Sequence, residues 1–319
     1  MATETWPKLA SSFPFRLSLV AEETGHDLES TLRFARQLGI SEIDLGTLWG
    51  ERIDRVPQAT LLRAKDLLDR YEIKVRVVAP ETFKTVLLRD VPLGHIAEEP
   101  HFQEHLALLR AQLAVARFLE ATFARVYSFR REGMAGLGNP SPRSPQGGTF
   151  PEEMQERVAF GLALACREAE RAQIPLALEN VRSCWGNSGH NTGLVLRRVN
   201  SPWLTCIWDP ANGYVSGEED ACSEGYQAVK PFVSHVHLKD AVVLDERTGL
   251  TQWERIGDGD VGLDLQLAAL ADDGYEGCVS IETHWSPPGS NPISNTRSTY
   301  AGLMRLLESL ISRRRVERA

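Results

Sequence analysis

A chain of 319 residues with 42% hydrophobic and 24% charged side chains has ample material for a large core and the balance of an ordinary water-soluble protein. Its formal net charge of −8 argues against a general binder of nucleic acid or of acidic membranes, since both favour a basic surface. Cys166, Cys184, Cys206, Cys222 and Cys278 are scattered and form no CxxC pair, and the N-terminal stretch has no basic start followed by an apolar core, so an unexported, cytoplasmic protein with reduced thiols is expected.

In chain order, strand and helix alternate. Arg16–Val20 reads as a first strand, and Glu22, Glu23 and His26 follow in a loop. Asp27 caps a helix to about Leu38 that Gly39 stops, and the strand 42–45 follows. Pro57 opens a helix to about Tyr71, with Leu61, Leu62, Leu67 and Leu68 as its buried stripe. Residues 74–79 form a third strand, 101–119 a long helix and 124–129 a fourth strand. The Gly, Pro and Ser content of 131–151 predicts a long loop insertion within a single domain, because the alternation resumes directly after it. A helix over 151–172 and a strand over 175–179 follow, then a polar loop, a short helix at 194–199 and a strand at 204–208. Residues 223–230 read as a helix before a seventh strand that starts at Val233, residues 242–262 as an irregular excursion, 263–270 as a helix, 277–281 as an eighth strand and 296–312 as the last helix. Eight strands alternating with helices, linked by parallel crossovers, predict an α/β protein: a single-domain (β/α)8 TIM barrel.

Four of the later strands end in metal-type ligands: Glu179, Asp209, the pair His235 and His237, and Glu282. Side chains alternate along a strand, so Ala177 with Glu179, His235 with His237 and Lys239, and Ser280 with Glu282 and His284 each share a face. If those faces turn inward at one rim, three carboxylates and an imidazole meet, a set suited to one divalent ion. Mn2+ is favoured, with Co2+, Mg2+ and Zn2+ also compatible. Each residue also has a duller role open to it. Glu179 and Glu282 could cap the helices that follow, Asp209 could only start a turn with Pro210, Lys239 could be solvated, and Glu22 and Glu81 read as solvated loop glutamates.

The stretches ALEN (177–180), WDPAN (208–212), HVHLKD (235–240), IGDGDVGLD (256–264) and GYEGCVSIE (274–282) resemble the xylose isomerase-like TIM-barrel superfamily of sugar and sugar-phosphate isomerases and epimerases. That resemblance implies Glu179, Asp209, His237 and Glu282 as metal ligands and the two glutamates as the acid/base pair. It also implies Lys239, Asn212 and Arg182 as substrate contacts. His235 is grouped with them on the inward face, its deeper position reading as a hydrogen-bonded supporting histidine. Gly262 stands where the family's glycine-rich loop often has an acidic residue.

The activity so implied is a metal-dependent isomerisation or epimerisation of a small sugar or sugar-derived ketone, by proton transfer through an enediolate. A dehydratase acting on an inosose- or dehydroshikimate-type keto-polyol is the alternative. An abasic-site endonuclease fits poorly, because Asn212 stands where an Asp-x-x-His arrangement needs histidine. The expected partner is a small carbohydrate, with no nucleic acid and no membrane. Trp49 and Trp285, read as exposed, leave room for a homodimer. Arg130, Arg131, Arg182 and Lys239 could each bind a phosphate, so phosphorylated and free sugars are both open.

Overall fold

The computed structural model describes residues 9–134 and 141–317. Eight parallel strands close into a barrel: β1 (Arg16–Val20), β2 (Glu42–Leu45), β3 (Lys74–Val78), β4 (Phe123–Val126), β5 (Leu176–Glu179), β6 (Leu204–Trp208), β7 (Val233–Leu238) and β8 (Cys278–Ile281), with β8 pairing back onto β1. The expected TIM barrel is therefore the fold. Alternation sorts its core into two parts. Leu19, Ile43, Leu178, Trp208, Val236 and Ile281 point outward into one large apolar layer beneath the helices. Val77, Ala79, Phe123, Ala177 and Ile207 form a small separate cluster. They belong to the inward set, with the polar groups of the site next along their strands.

The helices are α1 (Leu28–Gln37), α2 (Gln58–Arg70), α3 (Pro100–Phe118), α4 (Glu152–Ala172), α5 (Gly189–Val199), α6 (Pro210–Val215), α7 (Tyr226–Val229), α8 (Leu263–Asp272) and α9 (Pro292–Glu317). Local chemistry sets their ends. The Asp27 side chain accepts from Ser30 N at 3.0 Å at the start of α1, and Gly39 leaves the helix at φ 75°, a left-handed value that glycine adopts without strain. In α2 the buried face is Ala64, Leu67 and Leu68, whereas Leu62 is 50% exposed and belongs to the solvent side, so the expected stripe was too wide.

Several expectations need correction. The helix expected over 223–230 is a π-type turn (Ala221–Gly225) running into the one-turn α7. The excursion over 242–262 contains an antiparallel ribbon, Asp240–Asp245 paired with Leu250–Glu254. Its base is locked from within: the Asp240 carboxylate accepts from the backbone N–H groups of Ala241, Gly257, Gly259 and Val261, at 2.9–3.3 Å. The short helix α6, directly after β6, was not anticipated. Part of the 131–151 insertion lies outside the described residues; the rest includes a short 3-10 turn at Pro145–Gly147. Trp49 and Trp285 are half-buried rather than exposed, each under an arginine guanidinium, Arg63 at 4.3 Å and Arg255 at 5.3 Å from the ring centre. No helix among the described residues is long and apolar enough to cross a membrane.

Candidate metal centre and active site

Strand register places the four candidate ligands at one rim. Ser280 pairs with His237, Glu282 N donates to Leu238 O at 3.0 Å, Glu179 pairs with Ile207, and Asp209 follows two residues later. Glu179, Asp209, His237 and Glu282 thus each offer one ligand atom within 4.8 Å of the others, and all four are buried. His237 Nδ1 lies 3.3 Å from Glu179 Oε1 and 3.4 Å from Glu282 Oε2, yet makes no hydrogen bond. Its other nitrogen, Nε2, lies 3.2 Å from Asp44 Oδ2. A hydrogen on Nε2 facing that carboxylate leaves the Nδ1 lone pair aimed into the cluster, the usual arrangement of a metal-binding histidine and its carboxylate support.

Asp209 serves two roles at once. Oδ1 accepts from Asn212 N at 2.9 Å and caps α6, which is the turn-starting role, while Oδ2 turns into the cluster and accepts from Lys239 Nζ. Asn180 braces this strand end through Asp209 N and O, both at 2.8 Å, and Asn212 Nδ2 donates to Asn180 O at 2.8 Å.

The carboxylates of the cluster are faced by buried cations of the chain itself. Burial would raise the Glu179 carboxyl, but Arg125 and His237 outweigh it and hold the group down to about 2. Burial pushes Asp209 up to about 7, with Lys239 only partly offsetting it. Glu282 sits well below its ordinary value because Lys239 and His284 overcome burial. Lys239 and His237 are both held above their ordinary values despite burial, chiefly by Asp209 and Glu179 respectively. Burying an ion costs several kcal/mol unless it is compensated; Lys239, shared by Asp209 and Glu282, and Arg125 on Glu179 supply that compensation here. Three hard oxygens and one imidazole nitrogen fit a divalent ion.

Sequence reasoning missed several groups. Arg125 Nη1 and Tyr127 Oη both donate to Glu179 Oε2 at 2.9 Å, which leaves Oε1 as the ligand atom. Their spacing in ARVYSF, two apart on one strand face, was the available signal. Asp44, a charged residue inside the apolar run EIDL, was also legible. Glu22 is not a solvated loop group: its Oε1 accepts from Gly46 N at 2.7 Å and from Thr47 N at 2.5 Å. Glu23, pushed up to about 8 by burial and the Glu282 charge, lies 3.8 Å from His284 Nδ1, whose Nε2 is 3.3 Å from Glu282 Oε1. Trp253, on the ribbon after β7, lies 5.0 Å from the His284 ring and 5.7 Å from Lys239 Nζ. Nothing in the sequence pattern marked it.

A cavity of about 290 Å³ opens beside Glu282, lined also by Glu22, Glu23, Arg52, Glu81 and Arg125. Of the expected substrate contacts, Lys239 lies within the ligand cluster. Asn212, in α6, and Arg182, in the loop after β5, are buried and do not line this cavity. His235 is fully buried one layer down, with Nε2 2.8 Å from Asp44 Oδ2, and does not line it either. A larger cleft of about 440 Å³ near Arg143, His190 and Glu218 contains none of the four candidate ligands.

The family model described as xylose isomerase-like TIM barrel matches residues 32–309, and the chain belongs to that family. No curated protein sequence matches it. Among solved structures, the IOLI protein with a bound zinc atom superposes with a TM-score of 0.70 at 16% identity, covering 93% of this chain and 99% of that one. L-ribulose 3-epimerase gives 0.67 at 15% identity, over 96% and 98%. The probable 3-DHS dehydratase AsbF of Bacillus anthracis gives 0.64 at 17% identity, over 92% and 99%. At these identities the likeness shows the shared fold.

Proposed function

We propose that the protein is a divalent-metal-dependent isomerase or epimerase of a small sugar or sugar-derived ketone, moving a proton through an enediolate with Glu179 and Glu282. The observation that carries this reading is the convergence of four buried ligand atoms within 4.8 Å, with Glu282 also lining an open cavity. A divalent ion, Mn2+ by preference, would supply Lewis-acid polarisation of a carbonyl and its neighbouring hydroxyl, which acidifies the adjacent C–H.

The chain's own groups then divide the work. Glu282 reaches the cavity and takes the first proton, with His284 3.3 Å behind it as an exchange partner. Glu179 stands three strands round the barrel, fixed by Arg125 and Tyr127, and serves the other side of the substrate. Lys239 donates to a substrate oxygen, and Trp253 keeps water from that side. Asn212 acts by bracing Asp209, and His235 by sharing Asp44 with His237. All five cysteines are buried and free, which supports a reducing compartment.

A dehydratase is the second reading, favoured by the His284–Glu282 pair, which could protonate a departing hydroxyl. Incubation of metal-loaded protein in D2O with ketoses, keto-acids and inososes tests both. Deuterium on carbon next to the carbonyl, with the substrate's composition otherwise retained, is the expected result. A product lighter by one water supports the dehydratase, and no exchange with any compound contradicts the proposal. At saturating metal, Glu282→Gln should slow exchange by at least ~100-fold, the usual scale of a lost acid/base group.

A further inference from the structure

The charges around the cavity bear on which ketone enters it. Its lining contains two cations, Arg52 and Arg125, against the carboxylates of Glu22, Glu23, Glu81 and Glu282. Both cations are committed. Arg52 makes two hydrogen bonds to the Asp54 carboxylate, at 3.0 and 2.7 Å, and Arg125 is held by Glu179 and the Ala79 carbonyl. The nearby Lys84 is paired with Glu81, and Lys239, which a bound ion would displace from Asp209 and Glu282, is not among the residues that line the cavity. Even with protons on Glu22 and Glu23, Arg52, Arg125 and Lys84 each already have a carboxylate partner.

The places where a barrel of this kind usually binds phosphate are also filled. Such a site is commonly built from the loops after the seventh and eighth strands, using backbone N–H groups and a helix N-terminus. Here the glycine-rich loop 256–262 turns the N–H groups of Gly257, Gly259 and Val261 onto the Asp240 carboxylate, so this anion nest is occupied by the chain itself. At the start of α9, Asn291 Oδ1 accepts from Ser294 N at 3.3 Å. The arginines that the sequence offered for phosphate are engaged elsewhere. Arg130 donates to Met134 O, and Arg131 to Gly147 O and Thr149 O while stacked on Trp185. Arg182 lies buried outside the cavity lining.

We infer that this site takes an uncharged polyhydroxylated ketone, a free sugar or cyclic keto-polyol, and rejects its phosphorylated and carboxylated counterparts. The inference rests on the reading of the centre given above. Glu23 and Glu81 on the cavity wall offer hydrogen bonds to substrate hydroxyls, and the Glu81 carboxylate meets a second anion with like charge.

The test is calorimetric binding to the metal-loaded protein, run beside the deuterium exchange assay. The probes are free ketohexoses, ketopentoses and an inosose, set against fructose 1-phosphate, fructose 6-phosphate and 3-dehydroshikimate. At least one free ketone should bind at least about 100-fold more tightly than any anionic probe, the scale expected when a dianion is brought within a few ångströms of a carboxylate-lined wall whose cations are already committed. Inorganic phosphate should not compete with it. Tighter binding of an anionic probe, or binding of no free ketone, overturns the inference. Binding of a free ketone without deuterium exchange upholds the charge argument and sinks the proton-transfer reading instead. Glu81→Lys should strengthen binding of the phosphate esters about tenfold by placing a cation at the cavity wall. Unaltered ester binding in that variant would show that charge is not what excludes them, and would also overturn the inference.

Discussion

Replacing Asp44 by asparagine should weaken metal binding although Asp44 is not one of the four convergent ligands. Its Oδ2 lies 2.8 Å from His235 Nε2 and 3.2 Å from His237 Nε2, and all three side chains are fully buried. Burial alone would raise the Asp44 carboxyl, but the two imidazoles hold it well below its ordinary value, so it stands as a carboxylate. That charge fixes the hydrogen of His237 on Nε2 and makes Nδ1 a better donor to a cation. Asparagine keeps one carbonyl acceptor, loses the charge, and can turn its amide toward Nε2, which would drive the hydrogen onto Nδ1 and block the ligand atom. Loss of a carboxylate behind a ligating histidine typically costs 10–100-fold in metal affinity, or about 1.4–2.7 kcal/mol. The assay is a chelator-competition titration with Mn2+ and with Zn2+, with thermal melts to establish that the variant is folded. Asp69→Asn, a surface carboxylate paired with Lys65, serves as the control that should change nothing. A folded Asp44→Asn protein with affinity within twofold of the parent would refute the argument.

Two further outcomes concern stability. His105 is buried, accepts from Phe83 N at 2.9 Å through Nδ1, and is pushed down to about 4, mainly by burial and then by His101. The unfolded chain takes up this proton near 6.5 while the folded chain resists it, so stability is full above pH 6.5 and falls as pH drops toward about 4, by at most about 3 kcal/mol. Denaturant titrations across that range should show the slope flatten in His105→Asn, which keeps an acceptor but cannot titrate; an unchanged slope removes His105 as its source. Gly259→Ala should destabilise by ~1–3 kcal/mol, since the added carbon would lie 2.3 Å from Asp240 Oδ1 and 2.7 Å from Ala241 N. A melting temperature equal to the parent's would show that the loop gives way freely.

What could be read in the chain and what could not divides along a physical line. Barrel strands are short apolar runs with ligands at their ends, and period-two alternation already placed Glu179, His237 and Glu282 on one face each. Parallel closure then brings those faces together, so the meeting of these side chains at one rim was legible from order and alternation, whereas alternation left His235 and His237 equal and the resemblance singled out His237. The ribbon after β7 was not, because VVLDERTGLTQWE mixes polar and apolar residues and owes its stability to the lock at Asp240 rather than to a buried face. The role of Glu22 was hidden for a related reason: its partners are backbone N–H groups of Gly46 and Thr47, which carry no side-chain signature. Arg125 and Tyr127 sat in plain view, but their significance depends on β4 lying beside β5, a neighbour relation that appears only when the sheet closes. The one-turn α7 lost its expected length because the chain from Ala221 winds as a π-type turn before it.

The central claim is that Glu179, Asp209, His237 and Glu282 hold one divalent ion. Diffraction from crystals of the protein soaked in Mn2+, collected for anomalous signal, tests it most directly. The account predicts one strong peak within bonding distance of Glu179 Oε1, Asp209 Oδ2, His237 Nδ1 and Glu282 Oε2, with Lys239 Nζ withdrawn from the carboxylates. A peak elsewhere, or none at saturating Mn2+ with Lys239 still bridging Asp209 and Glu282, would contradict it.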